Sequence, residues 1–398
     1  MDLGHGLGHL TYSTLVHPAD TWDDLWASVT TYLPQVKARL APDEPFGVSL
    51  RLSAATAQRL VDDAAERDKL KRFLADGDMY VYTANAFPYG PFKGRIVKED
   101  VYEPDWRSEE RTRYTIAVAD ILADIGTDGV DPSIQTSPLG FKPKVTGPDV
   151  VGAYTEHVLR VAAHLVGLRA RTGRTVTLGI EPEPYCFLET TAETIDYFAE
   201  HLYCDAAVAR LSELAGVAPD DAVAALRRHL GIVFDICHQA VEYEDVADSL
   251  ERLVAAGIPI FKLQEAAAIR VPEVTDDVVD ILRGYAETIY LTQTYERRDG
   301  RLNRYLNLED AFAAWEADPA PSEWRTHIHV PVFLDDLGGV RSTRSAIEDA
   351  LAVHKQRPLS TQLEVETYTW DMLPAELKSG DIVEYVCREL EWVRAELL

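Results

Sequence analysis

Four short stretches of the chain end apolar, β-prone runs on side chains that bind metal ions. They are Leu178-Gly-Ile-Glu-Pro-Glu183, Val233-Phe-Asp-Ile-Cys-His238, His327-Ile-His-Val-Pro-Val332 and Leu363-Glu-Val-Glu-Thr-Tyr368. Carboxylates and imidazoles this far apart in sequence meet if the carboxyl ends of their strands share one rim, as they do in a closed parallel barrel. The pattern predicts a barrel whose mouth is built for a metal ion.

The rest of the chain supplies the strands and crossover helices that such a barrel needs. Strands are expected at residues 10–16, 46–52, 79–85, 130–135, 176–181, 232–235, 258–264 and 362–366, with helices at 22–40, 54–76, 109–125, 150–172, 193–230, 246–256 and 381–398. The helix at 150–172 shows the helical apolar spacing directly, with Val158, Val161, Ala162, Leu165 and Leu168 on one face. Eight strands make a (β/α)8 TIM barrel, and 398 residues leave room for an insertion beyond the ~250 that the barrel needs. That insertion is expected after strand seven, at 266–332. An alternating run at 289–295, an Asp299-Gly300 turn and the segment 301–306 read as a hairpin, followed by a helix at 308–315. It would serve as a lid or as a homodimer contact. No linker rich in Pro, Gly or Ser divides the chain, so a single domain over 1–398 is expected. Gly4-His-Gly-Leu-Gly8 precedes the first strand and reads as a flexible segment.

Net charge narrows the partners. The 66 acidic and 39 basic residues leave −27, a surface that repels phosphate backbones and excludes nucleic acid as an expected partner. No run of about 20 apolar residues predicts a membrane span, and the first ten residues do not form a signal peptide. Cys186, Cys204, Cys237 and Cys387 fit no zinc-knuckle or CxxC spacing and read as reduced thiols of a cytoplasmic protein.

Strand geometry groups the candidate ligands. Residues two apart share a face, so Glu181 pairs with Glu183, Glu364 with Glu366 and His327 with His329. Buried carboxylates from different strands repel unless they share protons, meet Lys or Arg, or hold a cation. Asp235 ends its strand and His238 follows three residues later, so the carboxylate can take a metal while the imidazole takes a second metal or substrate. Such mixed carboxylate and imidazole ligands suit Mn, Zn, Co or Fe better than Ca. Lys262 and Gln264 share a face of strand seven, and Lys262 either polarises a substrate or neutralises the acidic cluster. His17, Asn85 and Lys98 are candidate contacts to a polar substrate together with Glu183 and His327. Phe87, Tyr89 and Trp370 are candidates to cover its apolar face.

These motifs carry a resemblance. The chain is similar to the xylose-isomerase-like TIM barrels, a group of sugar and cyclitol isomerases, epimerases and dehydratases that also includes the apurinic endonucleases. It further resembles the E proteins of bacterial Ebo operons, described as metabolite-traffic proteins, through Val16-His-Pro18, Asn85-Ala-Phe-Pro-Tyr-Gly90, Val97–Trp106, His327–Phe333 and Leu363–Trp370. The superfamily resemblance implies a metal held at Glu181, Asp235, Gln264 and Glu366. The group's strand-seven His is replaced here, by Gln264 or by Lys262 depending on register, and the resemblance offers His329 as its substitute. His238 matches the group's second histidine. The resemblance to the Ebo proteins implies a secondary-metabolite context and a polyol or cyclitol substrate.

The expected activity is a metal-dependent isomerisation or epimerisation of a sugar or cyclitol, free or phosphorylated, through an enediolate. Glu181 and Glu366 would move the proton, with His238 or Lys262 stabilising the oxygen. The alternatives are a metabolite-binding or traffic protein on a barrel that has lost full ligation, and an abasic-site endonuclease, which the net charge disfavours.

Overall fold

The computed structural model describes residues 1–286, 289–374, 377–378 and 380–398. Two residues of the expected insertion, Glu287 and Thr288, lie outside this description. The first seven strands are β1 (His9–Tyr12), β2 (Phe46–Arg51), β3 (Met79–Asn85), β4 (Ser133–Thr136), β5 (Thr177–Ile180), β6 (Leu230–Asp235) and β7 (Ile260–Glu265). After an inserted sheet, β13 (Gln362–Val365) returns to lie between β7 and β1. All neighbours in this eight-stranded sheet pair in parallel. The β1/β2 seam is drawn together by a Ser13–Ser49 bridge, by Thr11 Oγ1 donating to the Gly47 carbonyl at 2.7 Å, and by the Arg51 amide donating to Thr14 Oγ1 at 2.8 Å. The result is a nearly closed barrel.

Alternation along each strand sorts the side chains. Leu178, Ile180, Leu363 and Val365 belong to the apolar core, while Glu364, between the last two, faces the interior and meets Lys262 of β7. The barrel is thus filled by hydrogen-bonded layers where bulky branched residues usually sit.

The inserted strands form a separate antiparallel sheet in the order β10-β9-β11-β8-β12. They are β8 (Ala267–Val271), β9 (Thr294–Arg298), β10 (Arg301–Tyr305), β11 (Glu323–Val330) and β12 (Arg341–Ser342). The hairpin β9–β10 turns on Asp299 (φ 50°) and Gly300 (φ 74°), a two-residue turn of the twist that hairpins favour. His327 and His329 therefore do not end a barrel strand, as the sequence suggests; they lie on β11 of this second sheet.

Three further expectations change. The helix at 54–76 breaks at Asp63, whose carboxylate caps the second piece by accepting from the Ala65 and Glu66 amides. The helical region 193–230 is several short helices, and its last residue belongs to β6. The glycine-rich start is not loose. Asp2 pairs with His9, Leu3 and Leu7 are buried, and a Cβ on Gly8 would stand 2.6 Å from the Thr361 carbonyl.

Candidate active site at the carboxyl mouth of the barrel

The mouth is a cavity lined by Asn85, Gln135, Glu181, Glu183, His238, His327 and Glu366 on its polar side. β5, β6, β7 and β13 end together, so Glu181, Asp235, Gln264 and Glu366 converge at its floor. Oxygens of Glu181, Asp235 and Glu366 lie within 4.8 Å of one another, and all three residues are buried.

One amide is the hub of this cluster. Gln264 Nε2 reaches Glu181 Oε1 at 3.1 Å, Asp235 Oδ2 at 2.9 Å and Glu366 Oε2 at 2.5 Å. An amide nitrogen has two protons, so three carboxylates over-subscribe it. The outer oxygens have separate donors: Gln135 Nε2 at 2.7 Å for Glu181, and Ser13 Oγ and Asn85 Nδ2, each at 3.1 Å, for Glu366. Asp235 Oδ1 accepts the Cys237 amide at 2.7 Å, because Asp235 caps the short helix Ile236–Val241. Burial, with the charges of Glu366 and Asp235 beside it, holds the Glu181 carboxyl well above its ordinary range. Burial also pushes Glu366 up to about 8 and Asp235 to about 6. Protons held between carboxylates are what a cation would displace.

Three histidines approach from above. His238 Nδ1 donates to the Pro182 carbonyl (2.8 Å), His329 Nδ1 to the Glu366 carbonyl (2.6 Å) and His327 Nδ1 to Gln293 Oε1 (3.0 Å). A carbonyl can only accept, so each Nδ1 carries the proton and each Nε2 keeps a lone pair. Nε2 of His327 and of His329 is buried without a hydrogen-bond partner, and that of His238 lies 3.5 Å from Asp235 Oδ2. Burial lowers His238 to about 3 and His329 to about 4, so these rings are neutral. Neutral imidazoles oriented through Nδ1 are in the form that ligates metals.

The donors fit a divalent ion in two adjoining ways. The carboxylate cradle offers only oxygens, and a half-turn of the Gln264 amide would present its buried, unpartnered Oε1 as a fourth. Asp235, His238 and His329 form a second group, with ligand atoms also within 4.8 Å, and Glu183, His238 and His327 a third. Asp235 and His238 thus each serve two groups.

Other sequence candidates fall elsewhere. Glu181 and Glu183 do not share a strand face, because β5 stops at Ile180. Glu183 instead accepts from the Tyr102 hydroxyl at 2.8 Å and is raised to about 8 by burial. Lys262 lies one layer below the cavity, bonded to Glu364 Oε1 at 2.6 Å and to Gln135 Oε1. His17 stacks on Tyr32 at 4.0 Å and bonds Tyr12, and Trp370 packs on Tyr385; neither lines the cavity. Tyr89 packs on Tyr114. Lys98 lines the rim, its Nζ donating to Asn307 Oδ1 at 3.0 Å. Sequence reasoning missed Ser13, Tyr102, Gln135 and Gln293. Gln135 alone carried a readable signal, a long amide near the carboxyl end of a strand.

No family model and no curated protein matches the chain. Among solved structures it is similar to a D-tagatose 3-epimerase-like protein, with 11% identity, 98% of this chain and 97% of that chain covered, and a TM-score of 0.50. A xylose isomerase-like TIM barrel protein from Mycobacterium smegmatis in complex with magnesium aligns at 10% identity, covering 97% and 98%, with a TM-score of 0.49. An IOLI protein with a bound zinc atom aligns at 11% identity, covering 98% and 97%, with a TM-score of 0.48. At these identities the likeness is one of fold alone, and the fold is the (β/α)8 TIM barrel. The narrower resemblance to the Ebo operon proteins finds no support among these matches.

Proposed function

We infer that this protein is a divalent-metal-dependent isomerase or epimerase acting on a sugar-like or cyclitol α-hydroxy carbonyl compound. The observation that carries this reading is the cradle: three buried carboxylates from three strands, one over-subscribed amide, and a cavity directly above. Glu181, Asp235 and Glu366 would hold the ion, with Gln264 through Oε1 and with His238 and His329 at its flank. An all-oxygen cradle favours Mg or Mn, and the imidazole group beside it favours Zn, Co or Fe. A bound divalent ion supplies Lewis acidity to a chelated carbonyl and hydroxyl, and so acidifies the C–H bond between them.

The chain's own residues do the proton work. Glu181 and Glu366 come from opposite sides of the cradle, so one removes the proton and the other returns it. Asn85, which donates to Glu366 at 3.1 Å, fixes that carboxylate's orientation. His238, neutral and held through Nδ1, offers Nε2 to a substrate hydroxyl as an acceptor.

Elemental analysis of the purified protein, before and after dialysis against chelator, tests the reading. About one equivalent of divalent metal is expected, lost in Asp235→Ala. Loss of turnover in Glu366→Gln with an intact fold is the matching kinetic result. A folded protein with no metal under any loading condition would leave only a binding role for the cavity.

A further inference from the structure

The wall opposite the acidic floor is built for something other than a bare polyol. Two small apolar clusters, each separate from the main core, flank the cavity. One contains Leu15, Phe92, Val97 and Tyr290; the other contains Phe87, Tyr102, Phe141, Cys186 and Leu291. Val101 packs against both. Phe92 stacks on Tyr290 with ring centroids 4.6 Å apart, and Tyr368 meets Tyr290 edge-on at 5.3 Å. Leu15, Phe87, Phe92, Val101, Leu291 and Tyr368 present this surface to the cavity. A hydroxyl-rich ligand filling the space would lay its polar groups against hydrocarbon and leave them without partners.

The charges at the mouth point the same way. Lys98 is the one cation among the lining residues described, and its ammonium is already bonded to Asn307. The acidic side chains of the lining, Glu181, Glu183 and Glu366, offer a phosphate no counter-charge.

The geometry points to a two-ended substrate: an α-hydroxy carbonyl head on the cradle, joined to an uncharged aryl or alkyl tail held between Phe92, Phe87 and Leu291. This rests on the metal-dependent reading of the floor for the head alone. The tail subsite stands on the two apolar clusters.

The test uses magnesium-loaded protein and isothermal titration calorimetry with five probes. Hydroxyacetone is the head without a tail, 2-hydroxyacetophenone the head with an aryl tail, and acetophenone the tail with the hydroxyl removed. Dihydroxyacetone phosphate and D-fructose are the charged and sugar controls. Burying the ring is expected to make 2-hydroxyacetophenone bind about 10- to 100-fold more tightly than hydroxyacetone, and more tightly than either control. Phe92→Ser and Leu291→Gln, made separately, should each bring the two hydroxyketones within about threefold of one another. Tighter binding of D-fructose would mean the wall stacks a sugar ring, and tighter binding of the phosphate would mean the mouth selects an anion. Either result overturns the proposal, as does an unchanged preference in both variants. Equal binding of acetophenone and 2-hydroxyacetophenone, with and without magnesium, would sink the chelated head while upholding the tail subsite.

Discussion

Two layers of buried charge lie two residues apart on the same strands, and they are solved differently. In the lower layer Lys262 of β7 meets Glu364 of β13 and Gln135 of β4, so one cation answers one anion. In the upper layer the same strands present Gln264 and Glu366, and Asp235 and Glu181 join them. There three carboxyl groups meet one neutral amide, and the protons they retain stand in for the missing positive charge. The lower layer is electrostatically complete and the upper is short of positive charge. The imbalance of the upper layer is what the proposed cation would fill.

The largest effect should come from breaking the complete layer. Lys262→Met leaves Glu364 buried and unpaired, and is expected to cost about 3–5 kcal/mol of stability in denaturant unfolding of the metal-free protein. Added metal should not restore it. A variant as stable as the parent would erase the contrast between the layers.

The upper layer should respond with the opposite sign. Glu181→Gln removes one of three repelling carboxylates, so metal-free stability is expected to hold or to rise by up to about 1 kcal/mol. Affinity for Mg or Mn should fall at least tenfold in the same variant. Loss of stability equal to that of Lys262→Met would show that both layers are structural.

Gln264→His sharpens the comparison by changing the donor. An imidazole in place of the amide should shift preference from Mg towards Zn by about tenfold, read as relative metal content after competitive loading. An unchanged preference would place the ion away from Gln264.

The smallest effect concerns a buried acid outside both layers. Glu389 accepts from Thr367 Oγ1 at 2.7 Å and from the Val332 amide at 3.3 Å, and burial raises it to about 8. Unfolded, a Glu releases its proton near 4.3. Between these values the folded state binds the extra proton, so the contribution of Glu389 to stability is full below about 4.3 and is lost as pH rises towards 8. Glu389→Gln keeps the acceptor and removes the titration. Its melting temperature should decline less than the parent's between pH 5 and pH 8, and parallel curves would refute the assignment.

Much of the barrel was legible because period-two apolar runs and period-3.6 helices leave distinct traces, as at 150–172 and 362–366. Glu181, Asp235 and Glu366 were readable together because strand ends in a parallel barrel share a rim, and Gln264 joined them only through the family resemblance. The second sheet was only half legible. Its Asp299-Gly300 turn carries local chemistry, but β8 and β11 read like any apolar strand, and nothing local says which sheet a strand will join. His17 and Trp370 misled for a related reason: a polar or aromatic residue just past a strand looks the same whether it turns into the mouth or out towards the helices. Tyr102 and Gln293 were invisible because their roles depend on a loop and an insertion folding over the same cavity.

The placement of His327 and His329 on β11 has a consequence for how such a mouth can change. Their strand is not part of the barrel wall, so drift in that segment can swap imidazoles for other donors without disturbing the eight-stranded frame. The carboxylates of the cradle and His238 sit on the barrel itself, whereas His327 and His329 are carried on a separable piece of chain. An ion drawing on both would also bolt the added sheet to the barrel, and amide protons of β8 and β11 would then exchange more slowly in the loaded protein.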